Sequence, residues 1–352
     1  MGLFNFFTQE IAMDLGTANT LIIHNDEVVV NEPSIIALNR NNMKEVLGVG
    51  KKALLMHEKT HESIKTIRPL KDGVIADFNA AELMIRELMK MIYPKKPLFP
   101  PSWRMVICIP SSITEVEKRA VRDSAEQAGA KEVYMIHEPM AAALGIGIDV
   151  EEPVGNMIID IGGGTTGITV IALAGIVCDQ SIRIAGDEFT ADIMEALRRY
   201  HSLLIGERTA EQIKIHVGAA LKDLDNPPDD MPVNGRDLVT GIPKQIMVSY
   251  QEVAEALDKS IFKIEEAILK ALETTPPELA ADIYRRGLYI TGGGSLLRGL
   301  DKRLSQKIKL PVHVADDPLK SVVRGTGIAL KNYQRFPFIM SCLLYTSDAA
   351  DE

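Results

Sequence analysis

The run Asp14-Leu15-Gly16-Thr17-Ala18-Asn19-Thr20 recurs as Asp160-Ile161-Gly162-Gly163-Gly164-Thr165-Thr166. A chain that carries one Gly-rich, Asp-bearing run in each half is constrained to build two related halves around them. Each copy follows a short apolar run, Ile11 to Met13 or Met157 to Ile159, and precedes another, Leu21 to Ile23 or Ile168 to Leu173. A strand, a tight Gly-rich turn and a second strand make a hairpin.

Helix signals lie between the strands. Thr114 with Glu117 forms a capping box ahead of Val116, Ala120, Val121 and Ala128, and Gly129 ends that helix. Thr209 with Gln212 predicts a second box for a helix running to about Leu221. Thr275, Pro276 and Glu278 predict an N-cap, a first-position proline and a box partner after a long helix over residues 251 to 273. Strands alternating with helices argue for α/β layers. At 352 residues and 46% hydrophobic the chain can fill two cores, and no Ser/Gly-rich linker parts the halves. Tyr93 to Ser102 and Asn226 to Pro232 read as proline-bearing surface loops.

Composition excludes several functions. A net charge of −9 gives no general attraction for nucleic acid. Cys108, Cys178 and Cys342 are odd in number and far apart, which suggests neither a disulfide framework nor a paired metal site. No apolar run reaches the ~20 residues of a membrane span. Met1 to Phe7 lacks a secretory signal's basic and long apolar regions, and Phe6 stands where myristoylation wants Ser or Thr. Gly48-Val49-Gly50-Lys51-Lys52 lacks the upstream glycine of a P-loop, Glu45 taking its place. Gly145 and Gly147 form a GxG without its third glycine, Val150 standing there.

A nucleoside triphosphate needs backbone N–H groups aimed at its oxygens, little side-chain bulk nearby and carboxylates that hold Mg²⁺ through water. Both repeated runs offer that set. Asp14 and Asp160 are the expected metal carboxylates, Gly16 and Gly162 to Gly164 permit close approach, and Thr17, Asn19, Thr165 and Thr166 add polar side chains. A third cluster, Gly292-Gly293-Gly294-Ser295-Leu296, follows the apolar strand Leu288 to Ile290 and is expected to open a helix. Between the two runs, Val133 to Ile136 reads as a strand ending at His137-Glu138-Pro139, which places the Glu138 carboxylate at a strand end, suited to orienting or deprotonating a water.

These motifs resemble the MreB family. The resemblance rests on Asp14 to Thr20, Asn31-Glu32-Pro33-Ser34, Arg68-Pro69 with Asp72 to Phe78, His137 to Ala143, Asp160 to Thr166, Thr275 to Ile283 and Thr291 to Asp301, and it covers about Glu10 to Leu330. It implies an actin-like fold, the type shared with Hsp70 and sugar kinases, with two similar halves around an ATP cleft. It also implies membrane-associated filaments that organise cell-wall synthesis and maintain rod shape. Thr17, Ala18 and Asn19 match the first phosphate turn, and Gly163, Gly164 and Thr165 the second. Glu211, Gln212, Ile213 and Lys214 match the helix that cradles the nucleoside, Glu211 and Lys214 also being i, i+3 neighbours on one helix face. Gly292 to Leu296 match the third turn, and Glu138 with Thr165 the residues that position the attacking water. Gly167 departs from the larger, often acidic residue usual in the family.

The domains expected from the resemblance are 1–147, with a smaller subdomain inserted at about 32–72, and 148–318, with one at about 186–248. A C-terminal helix over 319–340 returns to the first domain. Residues 341–352 match nothing in the family and read as a disordered or foreign tail. The same fold logic serves a small-molecule kinase or an Hsp70-like ATPase, so fold alone does not select the filament. Against these, the chain ends soon after the third turn, with no further substrate domain, and shows no sugar-binding pattern. Leu3, Phe4 and Phe7 fall on one side of a short helix, while Leu98 and Phe99 crown a loop beside Lys95 and Lys96. Both are expected to dip into an anionic lipid surface. The expected partners are other copies of the chain, the inner face of the cytoplasmic membrane and the wall-elongation machinery, with no nucleic acid. The expected location is cytoplasmic, peripheral at that membrane face.

Overall fold

The hairpin predicted around Asp14 begins the fold. In the computed structural model, which describes residues 8–59, 61–92, 102–333, 335–336 and 340–342, two units emerge, Met1–Val150 with Lys320–Glu352, and Glu151–Leu319.

In the first unit β1 (Thr8–Leu15) pairs antiparallel with β2 (Asn19–His24), and β2 with β3 (Glu27–Pro33). A smaller sheet follows, with β4 (Ile36–Asn39) between β5 (Asn42–Val49) and β6 (Ile64–Ile67), and α1 (Lys51–Met56) leading from β5 toward β6. A two-stranded ladder of β7 (Leu70–Lys71) and β8 (Val74–Ile75) leads to α2 (Phe78–Ile92). Then β9 (Ser102–Ile109), α3 (Glu115–Gln127), β10 (Ala130–His137) and α4 (Glu138–Gly145) complete the segment. β9 lies parallel to both β1 and β10. Met105, Val106, Ile107, Cys108 and Ile109 are all buried, the continuous apolar run of a strand covered on both faces. Met84, Ile85 and Leu88 of α2 join Ile11, Met13, Ile22 and Met105 in one core.

The second unit repeats that plan. β11 (Asn156–Ile161) and β12 (Thr166–Ala172) form the hairpin, and β13 (Gly175–Ile182) pairs antiparallel beyond it. Next come α5 (Gly186–His201), β14 (Leu203–Leu204), α6 (Glu207–Val217), β15 (Met231–Asp237) and β16 (Pro243–Val248), the three strands forming a small sheet. They are followed by α7 (Tyr250–Thr274), α8 (Pro277–Arg286), β17 (Leu288–Thr291), a 3-10 turn at Gly293–Leu296, α9 (Leu300–Ile308) and β18 (Val312–Val314). The two large sheets run β3-β2-β1-β9-β10 and β13-β12-β11-β17-β18, strand for strand alike. The equivalence fixes the aspartates: Asp14 lies between Leu21 and Cys108, Asp160 between Gly167 and Thr291.

The chain then returns to the first unit through α10 (Ser321–Lys331), which packs on α4, and β19 (Met340–Cys342), which pairs with Tyr134, Met135 and Ile136 of β10. Ser341 and Cys342, read from sequence as the start of an unstructured tail, extend that strand. Here a second repeat surfaces. Glu138-Pro139 precedes Gly145-Ile146-Gly147 at the end of α4 as Asp317-Pro318 precedes Gly325-Thr326-Gly327 in α10. A Cβ on Gly145 would overlap the Ser321 carbonyl, and one on Gly325 the Ala141 carbonyl, so only glycine allows these backbones to touch.

Three helix expectations change. Gly206 rather than Thr209 is the N-cap of α6, which begins at Glu207, and the helix stops at Val217 because the chain turns to bridge Ala219 with Arg298. Thr275 closes α7 instead of opening α8: its hydroxyl donates to the Ala271 carbonyl at 2.7 Å, and α8 begins at Pro277. The third glycine cluster forms a single 3-10 turn before α9 rather than a longer helix. The box of Thr114 and Glu117 is present as read.

Candidate functional site

The first turn is braced from outside the hairpin. Ser34, directly after β3, donates its backbone N–H to the Ala18 carbonyl at 2.9 Å and its hydroxyl to the Gly16 carbonyl at 2.6 Å. Its hydroxyl also lies 2.9 Å from that of Thr20, both side chains being fully buried. The Gly73 backbone N–H donates to the Thr17 hydroxyl at 3.0 Å. Thr17, Ala18 and Asn19 are thereby held at the carboxyl end of β1. Glu138 opens α4 at the carboxyl end of β10. Asp14 pairs with Cys108, and Cys108 with Ile136. Two strand spacings of about 5 Å therefore separate the Asp14 and Ile136 positions on one sheet edge. Ligands of parallel α/β sheets bind at that edge.

The second turn is braced by α5. Gly186 and Asp187, at the helix start, donate their backbone N–H groups to the carbonyls of Gly162 (3.1 Å) and Gly163 (2.7 Å). The expected Glu211 and Lys214 of α6 meet the same helix start. Lys214 Nζ donates to the Gly186 carbonyl at 2.7 Å and pairs with Glu211 Oε2 at 2.6 Å. Thr190 Oγ1 lies 2.9 Å from Glu211 Oε2 and 3.1 Å from Lys214 Nζ.

The third turn lies beside Asp160. Gly292 has φ +79°, and a Cβ there would overlap both the Asp160 carboxylate and the Ile161 carbonyl, so the aspartate rests on bare backbone. Ser295 closes the turn by donating its hydroxyl to the Gly292 carbonyl at 2.7 Å. Ala220 donates its backbone N–H to the Arg298 carbonyl at 2.8 Å, which ties the residues after α6 to those after the turn. Burial pushes the Asp160 carboxyl up to about 6, and no hydrogen bond or ion pair from the described residues offsets it. A desolvated carboxylate of this kind suits a hydrated cation and does not suit an anion.

Within the second unit the structure thus gathers Asp160, Gly162 to Thr165, Glu211, Lys214 and Gly292 to Leu296. Within the first it gathers Thr17, Ala18 and Asn19 at the turn, with Asp14 and Glu138 on one sheet edge. Leu3, Phe4, Phe7, Leu98 and Phe99 lie outside the described residues. Sequence reasoning missed the braces Ser34, Gly73, Gly186 and Thr190. Ser34 and Gly73 stand in runs noted above, so their place in those runs was the available signal.

The site can be compared with known proteins. A family model described as MreB/Mbl protein matches residues 8–337. The chain belongs to the MreB/Mbl family. Among curated MreB/Mbl relatives, it is 47% identical over 332 residues to the cell shape-determining protein Mbl of Bacillus subtilis, covering 94% of this chain and 98% of that one. It is 45% identical to the cell shape-determining protein MreB of Escherichia coli, covering 92% and 94%. Among solved structures, MreB5 of Spiroplasma citri bound to AMPPNP superposes with a TM-score of 0.87 at 38% identity over 93% of this chain and 97% of that one. A MamK double helical filament, at 22% identity and a TM-score of 0.76 over 93% and 99%, shares the fold. The fold is therefore actin-like.

Proposed function

We propose that this MreB/Mbl-family chain binds and hydrolyses ATP and assembles with copies of itself into filaments that act in cell-shape determination at the inner face of the cytoplasmic membrane. The observation that carries the nucleotide reading is the Asp160 carboxylate, desolvated and set on the bare backbone of Gly292 beside the Gly162 to Thr165 turn. Supporting it, the related MreB5 of Spiroplasma citri has been solved bound to AMPPNP and to ADP.

In this reading the backbone N–H groups of Thr17, Ala18 and Asn19, and of Gly163, Gly164 and Thr165, meet phosphate oxygens. Asp14 and Asp160 hold Mg²⁺ through water, and the ion neutralises phosphate charge when bound. Glu211 accepts from a ribose hydroxyl, and Gly292 to Leu296 receive the remainder of the nucleoside. Glu138 and Thr165 position the attacking water, and the Glu138 carboxylate takes its proton. Glu138→Ala should bind ATP as the parent does while releasing phosphate ~10²–10⁴-fold more slowly, the usual loss for a general base. Unchanged release removes Glu138 from the chemistry.

Self-assembly follows from the family, because a head-to-tail contact between identical subunits does not close and so extends. The membrane reading draws on the register of β1 and β9, where Thr8 pairs with Ser102, so the chain enters both strands at one sheet edge. Wall-elongation proteins are the partners implied by the cell-shape role of the relatives.

A further inference from the structure

The contact between α5 and α6 is a closed polar square whose donors can be assigned. Lys214 Nζ has three protons and no acceptor, and three oxygens surround it: Gly186 O at 2.7 Å, Thr190 Oγ1 at 3.1 Å and Glu211 Oε2 at 2.6 Å. Thr190 Oγ1, accepting from Lys214, has one proton to give. Glu211 Oε2 lies at 2.9 Å and Gly186 O at 3.0 Å. The charged carboxylate is the stronger acceptor, so the proton goes to Glu211. Thr190 is only 3% exposed, so no water replaces this bond. Glu211 Oε2 is then satisfied twice, whereas Oε1 makes no hydrogen bond among the described residues, and the side chain is 45% exposed.

We propose that Thr190 is a positioning residue for nucleotide recognition: its buried hydroxyl, with Lys214, fixes the Glu211 carboxylate so that Oε1 faces outward to accept from a ribose hydroxyl. This inference rests on the nucleotide reading above. It also changes the role of Lys214, whose three donors are consumed inside the square and which therefore braces Glu211 rather than touching the ligand. The square has a second consequence. Gly186 supplies one of its oxygens, and the backbone N–H groups of Gly186 and Asp187 hold the Gly162 and Gly163 carbonyls, so the ribose acceptor and a phosphate turn share one rigid helix start.

The test compares ATP with its 2′-deoxy and 3′-deoxy analogues by equilibrium titration of the full chain, its Thr190→Val and Thr190→Ser variants, with the melting temperature of each empty protein. A hydrogen bond to a charged group corresponds to about tenfold or more in affinity, the preference expected of the parent for ATP over the analogue lacking the recognised hydroxyl. Thr190→Val keeps the side-chain shape and should lose most of that preference, chiefly by weakening ATP, while Thr190→Ser restores it. A role in folding alone would lower the melting temperature and leave the ATP-to-deoxyATP ratio at the parental value, and that result overturns the proposal. A parent that binds ATP with no preference for either hydroxyl overturns it too, by removing the ribose contact, while nucleotide binding stands. A parent that binds no ATP overturns the nucleotide reading itself. Should Thr190→Val not fold, Thr190→Ala puts the same question with less bulk, and failure of both to fold makes the residue structural and ends the proposal.

Discussion

Asp160 works against the stability of its own fold. An aspartate ordinarily titrates near 4, and this one is pushed up to about 6 by burial. Below pH 4 it is protonated folded and unfolded alike, and its burial as an ion costs nothing. As the pH climbs from 4 to 6 the unfolded chain gives up its proton first, and the cost grows until it is complete above 6. Asp160→Asn removes that charge. The nucleotide-free variant should therefore melt above the parent at pH 7.5, lose the advantage by pH 4, and gain nothing from added Mg²⁺ and ATP, which should stabilise the parent. Calorimetry at the two pH values decides it, and a lower melting temperature at pH 7.5 would contradict the argument. The pairing of Glu211 with Lys214 was legible because the two stand one helical turn apart, although the role assigned to them came from the family resemblance. Thr190 stayed hidden because its partners stand 21 and 24 residues away, a distance no local pattern spans.

At the scale of elements, the repeated runs disclosed both hairpins because strand, glycine turn and strand are local signals. The order of the sheets depends on pairings such as β1 with β9, whose residues lie some ninety positions apart (Thr8 with Ser102), and no periodicity encodes those. The misread ends of α6 and α8 have the same cause, since a cap signal competes with tertiary contacts that sequence does not display: the bridge at Ala219, and Thr275 closing α7. The α4 and α10 crossing lets two effects be compared. Alanine is a better helix residue than glycine by about 1 kcal/mol, which alone favours Gly325→Ala. Overlap with the Ala141 carbonyl opposes it, and overpacking typically costs 1–3 kcal/mol and more where the obstacle is backbone. Gly325→Ala should therefore lower the urea midpoint. Gly327→Ala, two residues on in the same helix, meets only the Ile23 side chain at 3.5 Å and should leave the midpoint unchanged or raise it. Equal responses at the two positions would show that the crossing does not require glycine.

At the scale of the molecule, composition indicated two cores and no attraction for nucleic acid, but it could not indicate which surfaces come together. The membrane reading turns on that. The apolar groups Leu3, Phe4 and Phe7, and Leu98 and Phe99, are ninety residues apart in the chain, roughly, and each alone is too small to hold a protein on lipid. Yet β1 and β9 start side by side, with Thr8 opposite Ser102 at a strand spacing of about 5 Å, so the chain segments that carry the two groups lead into neighbouring strands. If both insert, two weak insertions on one body would act as a bivalent anchor, because once the first is seated the second meets the bilayer at high effective concentration. Each alteration alone, deletion of residues 1–7 or Leu98→Ser with Phe99→Ser, should then cost far more vesicle binding than its small apolar area suggests. Both together should abolish co-sedimentation with anionic vesicles. Lys95 and Lys96 should make binding through this segment fall as salt rises, since charges at a lipid surface are screened within about 10 Å at 0.1 M. The deletion alone should leave binding that is weak and salt-sensitive, and the loop change alone should leave binding that is weak and less so. A chain carrying both changes that still sediments with the vesicles as the parent does would place the membrane contact elsewhere on the molecule.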